Sequence, residues 1–409
     1  MLRSPSARLP VFFALLLIAE PLTHSSPWAA LWAAPCILFA SVVITWGAES
    51  AQFFVAQGFA LAILAWMQTL PEFGVEAVLA WHQETKLLLA NLTGALRLLT
   101  GLAWPMIYVT AAVVHRRKTK QPLRKIVLDS HHSVEVIGLL FPLLYAGFIC
   151  WKASLHLYDG CVLIAVYLGY LAVLSKLPPQ QKENVDQLEK IPRSIVLAPR
   201  HWRILAITAC FVTGGALIYF AAAPFLGSLV AFATAIGVPS FVVIQWLAPV
   251  ISEFPELLST FYFARQEENA SVALVNIASS NINQWTLLFA MLPIVFSMSR
   301  HSVSAIPLDS EQQAELLLTI GQSLVSLVFL LNMKFAWWEA LAMFVLFAGQ
   351  FISQDAKTWI TAAFMIWTGV EIAMIIFRRE RPAALVSFVE TWRGLGAAKV
   401  NQSDAENDH

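Results

Sequence analysis

Charge is what this sequence has least of. Of its 409 residues, 13% are Asp, Glu, Lys or Arg, against 58% hydrophobic. A soluble chain carries about 25% charged residues, so there is too little charge here to cover a water-facing surface. Lys+Arg and Asp+Glu each number 26, the formal net charge is zero, and no long basic block occurs, which speaks against nucleic acid as a partner. The four cysteines (Cys36, Cys150, Cys161, Cys210) are scattered through apolar stretches with no CxxC spacing. That excludes a disulfide framework and a thiolate zinc site. Catalytic signatures are missing as well: there is no HExxH, no GxGD, no GxSx with a histidine partner and no DGxxAR pattern around Asp159-Gly160. The chain is therefore not expected to be an enzyme.

What the sequence does have is long apolar runs, and in lipid each reads as a helix whose backbone satisfies itself. They predict an all-α polytopic membrane protein with about twelve spans: 9–24, 28–56, 58–81, 87–114, 134–153, 157–175, 203–224, 237–263, 270–298, 314–332, 335–352 and 357–377. The first is short and interrupted by Glu20 and Pro21; with Arg3 and Arg8 before it, it also fits a signal peptide, but no small-x-small cleavage site is evident. Alternating the spans from a cytoplasmic N-terminus puts the basic segments Arg3–Arg8, His115–Lys125, Lys176–Arg203 and Arg378–Arg381 inside, and loops poor in Lys and Arg outside. This predicts a multi-pass plasma-membrane protein with both termini cytoplasmic. Segment 176–202, with Pro178 and Pro179, reads as a cytoplasmic linker; the tail 399–409 is polar and reads as disordered.

A charge within lipid is expensive and needs a physical reason. Span 58–81 contains Glu72 and Glu76, span 237–263 contains Glu253 and Glu256, and span 87–114 contains Arg97. Both glutamate spans place proline directly before a glutamate, at Pro71-Glu72 and Pro255-Glu256. Proline in a helix frees the carbonyl four residues back, here near Met67 and Ile251. Gln68, Thr69 and Ser252 add side-chain oxygen beside the carboxylates. Hard cations such as Ca²⁺ and Na⁺ take such oxygen ligands. Glu72 lies ten residues before His82 and Glu256 nine before Arg265, roughly 15 Å at 1.5 Å per residue. With the two spans running in opposite senses, both motifs fall near the bilayer midplane and are related by inversion. Each is followed, after a short polar loop, by a helix starting with small residues and an asparagine, Asn91 or Asn276. Inverted repeats with broken helices at the midplane mark secondary transporters.

These residues resemble the alpha repeats of the sodium/calcium exchanger family, within the wider cation/calcium antiporter group. The family pattern GTSLPE followed by GNxxGSNI reads here MQTLPE (Met67–Glu72) with ANLTGAL (Ala90–Leu96), then ISEFPE (Ile251–Glu256) with VNIASSNI (Val275–Ile282). The resemblance implies ten core helices in two inverted halves of five. The first half is 28–175 and the second 203–352, with an extra N-terminal segment 1–27 and an additional C-terminal helix in 353–398. Spans 28–56 and 203–224 would be the gating pair. A calcium ion would sit between Glu72 and Glu256, helped by carbonyls near Gln68 and Ser252. Sodium would use Thr69, Ser252, Ser280 and Gln284. The implied activity is exchange of Ca²⁺ for Na⁺ by alternating access; the partners are the transported cations and the bilayer, and no cofactor is called for.

The departures from the pattern fall on the ligands. In the first repeat the family's serine is Ala95 and its next polar position is Leu99; in the second, Ser280 stays, the polar position is the neutral Gln284, and the hydroxyl after Ser252 is Glu253. Oxygen is lost on one side and a carboxylate gained on the other. Protons could therefore replace sodium, since crowded carboxyls carry protons. The alternatives are the same scaffold coupled to H⁺ or moving another cation, or a transport-dead ion-binding relative. Glu253 shares a helix face with Glu256, and Glu76 with Glu72, so Glu76 could line the outer pathway. Arg97 reads as a structural partner for a glutamate such as Glu49, or as a built-in cation replacing a lost sodium ion. His131-His132 reads as solvated.

Overall fold

The computed structural model describes residues 26–54, 66–67, 69–176, 185, 188–266, 269–378 and 382–392. These fold almost entirely into helices. In chain order they are α1 (Ala30–Ala51, entered through a 3₁₀ turn), α2 (Leu70–Trp81), α3 (Thr85–Leu98), α4 (Trp104–Thr119), α5 (Ser133–Gly138), α6 (Leu140–Lys152), α7 (Leu157–Leu174), α8 (Lys190–Leu197), α9 (Arg200–Ala235) and α10 (Ser240–Ser252). There follow α11 (Phe254–Ala264), α12 (Ala270–Asn283), α13 (Phe289–Ser299), α14 (Ser310–Leu330), α15 (Trp337–Gly349), α16 (Gln354–Arg378) and α17 (Ala383–Trp392). Five-residue π segments, Leu99–Ala103 and Gln284–Leu288, join α3 to α4 and α12 to α13.

Among the described residues eight helices are long and apolar enough to cross a membrane, or nine if the bent pair α10–α11 counts as one. Twelve were expected from the sequence, and the spans that differ are these. Span 9–24, residues 58–65 and the tail 399–409 lie outside the described residues. The described helix of span 58–81 is α2, only 12 residues long. Span 335–352 shrinks to the 13 residues of α15, because Lys334–Ala336 form a strand instead. Span 237–263 breaks into α10 and α11, which meet at 53°. The linker 176–202 contains the short helix α8; its Pro192 falls in the first turn, where a missing N–H is harmless.

The 36-residue α9 is about 54 Å long, well beyond the thickness of the hydrocarbon core. It packs along α1 through small residues. A Cβ on Gly214 would meet Ile44 at 2.5 Å, and one on Gly47 would meet Cys210 at 2.9 Å. The tightest approach is between α3 and α10, where a Cβ on Gly94 would lie 1.9 Å from the Gln245 carbonyl oxygen. Only glycine lets two backbones come so close.

The same succession of elements occurs twice. A short helix opening with Pro-Glu, then a 14-residue helix, a π segment, a helix, a strand, a helical span, a strand and a helix make up α2 to α7 and again α11 to α15. Two small antiparallel ribbons tie the runs together. Strand β1 (Lys125–Val127) pairs with β4 (Lys334–Ala336), and β2 (Ser154–Leu155) pairs with β3 (Ile306–Pro307). The first strand of each run thus pairs with the second strand of the other. All four cysteines are free thiols.

Candidate ion-binding site

Glu72 and Glu256 stand in the first turns of α2 and α11, with Pro71 and Pro255 at the head of each helix. The prolines are tolerated there because the first N–H groups of a helix have no partner anyway. They begin new helices; they do not kink continuous ones. Helix N-termini favour negative charge, so both carboxyls lie where two helix dipoles assist them. Glu253 occupies the break itself: it ends α10 and precedes α11, and its N–H donates to the Pro249 carbonyl at 2.8 Å.

Four carboxyl groups gather around this break. Glu72, Glu76, Glu253 and Glu256 are all wholly buried. Among the described residues no lysine or arginine pairs with any of them. Gln284 Nε2 donates to Glu253 Oε1 at 2.9 Å, Ser280 Oγ to Glu256 Oε1 at 3.3 Å, and Asn91 Nδ2 to Glu76 Oε1 at 2.9 Å. Among the described residues no N–H or hydroxyl donor reaches either oxygen of Glu72. Its neighbour is the carboxyl of Glu253, within hydrogen-bonding reach, and Glu253 makes the same contact with Glu256. Two carboxylates have only acceptors to offer each other. A carboxyl–carboxyl contact in a dry interior therefore calls for a proton or a cation between them. Among the described residues no group of three or more His, Cys, Asp or Glu side chains is spaced to hold a metal ion as it stands. The glutamates are closed onto one another.

The residues expected from the sequence divide into three sets. Glu72, Glu253, Glu256, Ser280 and Gln284 come together, with Glu253 in contact with both Glu72 and Glu256. Thr69 and Ser252 are buried beside the helix ends, but their hydroxyls donate backwards, Thr69 to Trp66 O at 2.7 Å and Ser252 to Ala248 O at 3.3 Å. Their oxygens remain available as acceptors. Gln68 lies outside the described residues. Glu76 and Asn91 belong with the cluster; their helical spacing from Glu72 and their place after it were the available signals. Asn281 and Asn283, also buried, have side-chain amides without a hydrogen-bond partner among the described residues.

Arg97 pairs with a glutamate, as expected, but not with the one named from the sequence. Its partner is not Glu49: Nη2 lies 2.9 Å from Glu315 Oε2, and Nη1 donates to Gln350 Oε1 at 3.3 Å. Lys357 Nζ lies 2.6 Å from Glu315 Oε1 and donates to Gln245 Oε1 at 3.1 Å, while Gln245 Nε2 donates to Glu315 Oε2 at 2.9 Å. The guanidinium also rests 5.0 Å from the Trp246 ring centre. This second network fastens α10 to α3, α14 and α16. His132 is the other correction: it is buried, not solvated, and its Nδ1 has no partner among the described residues.

The model of the family described as sodium/calcium exchanger protein matches residues 25–176 and 206–354. The chain belongs to that family. Among solved structures, the crystal structure of the H⁺/Ca²⁺ exchanger CAX is 28% identical, with a TM-score of 0.84 over 95% of this chain and 96% of that one. The sodium-calcium exchanger NCX_Mj shares the fold at 19% identity and a TM-score of 0.53, over 80% of this chain and 97% of its own. Native YfkE does so at 12% identity and a TM-score of 0.59, over 88% and 98%. No curated protein gives a significant match. This family member is thus a membrane protein of the cation/calcium exchanger group, built from apolar helices.

Proposed function

We propose that this exchanger moves Ca²⁺ against H⁺ by alternating access, using Glu72, Glu253 and Glu256 as the carboxyls that hold either one calcium ion or protons. The observation that carries this is the Glu72–Glu253–Glu256 chain, in which carboxyls contact each other with no basic side chain among them. Glu76 and Asn91 lie beside it. Binding calcium would displace the protons that bridge the chain, and releasing calcium would let them return. Ser280, Gln284, Ser252, Thr69 and Gln68 would supply neutral oxygen to the bare ion. Ala95 and Leu99 leave the first repeat without the oxygens that sodium would need. The overall likeness to the H⁺/Ca²⁺ exchanger CAX favours the same choice.

The reading also treats residues 28–175 and 203–352 as inverted halves. Its support is the repeated order of elements and the reciprocal strand pairing. In this view α1 and α9 are the pair that slides, their glycine contacts giving a smooth seam, and both termini are cytoplasmic in a plasma membrane. Sodium as the counter-ion is the second reading, favoured by Ser280 being retained and by the side-chain oxygen of Gln284. Proteoliposomes preloaded at low pH in sodium-free buffer test the choice: ⁴⁵Ca uptake should follow the pH gradient and vanish in Glu72→Gln and Glu256→Gln. Uptake that needs a sodium gradient would overturn the proton reading.

A further inference from the structure

Glu135 is a buried glutamate outside the four-carboxyl cluster, and the internal repeat explains what sets it apart. The sequence Asp129-Ser130-His131-His132-Ser133-Val134-Glu135 precedes and opens α5, and Asp309-Ser310-Glu311-Gln312-Gln313-Ala314-Glu315 opens α14. Asp129 and Asp309 both sit at N-cap positions, and in each run the glutamate is the sixth residue after the aspartate. The match continues in the next helix. His156 N donates to Asp159 Oδ2 at 2.6 Å at the start of α7, and Ala336 N to Glu339 Oε2 at 2.6 Å at the start of α15. Thirteen residues after the first residue of each helix come Tyr170 and Gln350. Glu135 and Glu315 are therefore the same position of the repeat, and both are buried, at 1% and 4% exposure.

Their surroundings differ in one respect. Glu315 has two permanent cations, Arg97 and Lys357. The residue of α12 that corresponds to Arg97 of α3 is Ile282, and it packs where Gly138 and Tyr170 meet. Lys357 comes from α16, which follows the second run and has no counterpart in the first. Glu135 thus lacks both cations, and among the described residues its Oε2 has no hydrogen-bond partner. No charged side chain among the described residues acts on it. The titratable groups nearby are His132, His131 and Asp129 of its own turn, with Tyr170 and Tyr167 on α7. From α12 the neighbours are the neutral Ser279 and Ile282: Tyr170 Oη and Ser279 Oγ are 3.4 Å apart.

An isolated ionised carboxylate is not tolerated in so dry a place; it takes a counter-ion or a proton. The exposed His131 stands four residues before it, about one helical turn, and His132 Nδ1 and Ser133 Oγ are buried without partners along that turn. These are groups through which a proton can pass from water to the carboxyl.

We propose that Glu135 is a proton-binding station separate from the central carboxyls, reached through the His131–Ser133 turn. At the repeat-related position, Arg97 and Lys357 hold Glu315 ionised, so protonation there is abolished. The step is simple: the carboxylate takes one proton from water at that end of the bundle, becomes a neutral carboxylic acid, and returns it by the same path. This deepens the proton-coupled reading in its flux consequences, but binding of a proton at Glu135 stands or falls on its own.

The test is infrared difference spectroscopy of the purified full-length protein, titrated between low and high pH in calcium-free buffer. Wild type, Glu135→Gln and Glu135→Asp are compared. The expected result is a protonated-carboxyl C=O band that disappears in Glu135→Gln and shifts in frequency in Glu135→Asp. If Glu135→Gln does not fold, the band shift in Glu135→Asp decides. Superimposable titration spectra in wild type and Glu135→Asp would overturn the proposal. A companion flux assay should find that Glu135→Gln changes the pH dependence of ⁴⁵Ca uptake while calcium remains transported. Loss of uptake in Glu72→Gln bears only on the central site, so the two readings can fail separately.

Discussion

The Gln284 side-chain amide donates to Glu253 Oε1 at 2.9 Å, and through this contact the π segment after α12 holds the carboxyl at the break between α10 and α11. Glu253 reaches Glu72 on one side and Glu256 on the other. It is the central member of this carboxyl chain, at the position where the resembled family pattern has a hydroxyl.

Replacing Glu253 should therefore change the coupling, not only weaken binding. Glu253→Ser restores the family's hydroxyl and removes the shared carboxyl. Calcium uptake driven by a pH gradient should fall by about tenfold or more, the scale of one charged hydrogen bond. ⁴⁵Ca uptake in proteoliposomes across imposed pH gradients is the measurement, and wild-type rates would remove Glu253 from the mechanism.

Gln284→Leu leaves Glu253 in place without its amide donor. Losing a hydrogen bond to a charged or strongly polar buried group costs about 1.5–3 kcal/mol. The expected outcome is weaker calcium affinity by about tenfold, read as a higher half-saturating calcium concentration, with folding intact by size-exclusion chromatography.

The Pro-Glu motifs and the small-residue helices were legible because each lies within a few dozen residues of sequence and obeys a local rule. The interposition of Glu253 was half legible: its helix face was apparent, but the 53° break that aims it at both neighbours depends on how α10 and α11 pack. Arg97 was not legible. Its partners Glu315 and Gln350 come from near the other end of the chain, and nothing in local spacing distinguishes that glutamate from Glu49. The correspondence of Glu135 with Glu315 was available in the sequence only as Asp-Ser and a later glutamate; the intervening residues diverge, and it takes the helix starts to align them.

The Arg97–Glu315–Lys357 network predicts an ordered set of stability losses. Glu315→Gln leaves two buried cations without a counter-charge and should cost about 3–5 kcal/mol. Arg97→Met should cost less, because Lys357 stays on Glu315. Thermal unfolding in detergent should rank them in that order, and equal midpoints for wild type and Glu315→Gln would contradict the network's role.

Gly94→Ala gives a sign test. In a helix interior alanine is favoured over glycine by about 1 kcal/mol, but here the added Cβ would lie 1.9 Å from the Gln245 carbonyl oxygen, which is backbone and cannot swing away. The substitution should lower the unfolding temperature. A rise would mean that α3 and α10 are not in contact as described.

At the water-facing start of α14, the Gln312 N–H and the Lys86 ammonium hold the Asp309 carboxyl below its usual range. A depressed folded-state value means stability that is present above the unfolded value and is lost as pH falls through the folded one. Asp309→Ala should therefore be destabilised at neutral pH by about 1 kcal/mol, the usual worth of an N-cap, and should approach wild type below the aspartate range. Unfolding midpoints measured at both pH values give the comparison.

The most direct measurement records ⁴⁵Ca uptake and intravesicular pH together in sodium-free proteoliposomes, for wild type, Glu72→Gln and Glu256→Gln. The account predicts that calcium entering wild-type vesicles drives protons out, raising the internal pH, and that both signals vanish in either variant. Calcium uptake that proceeds only with a sodium gradient and leaves internal pH unchanged would contradict it.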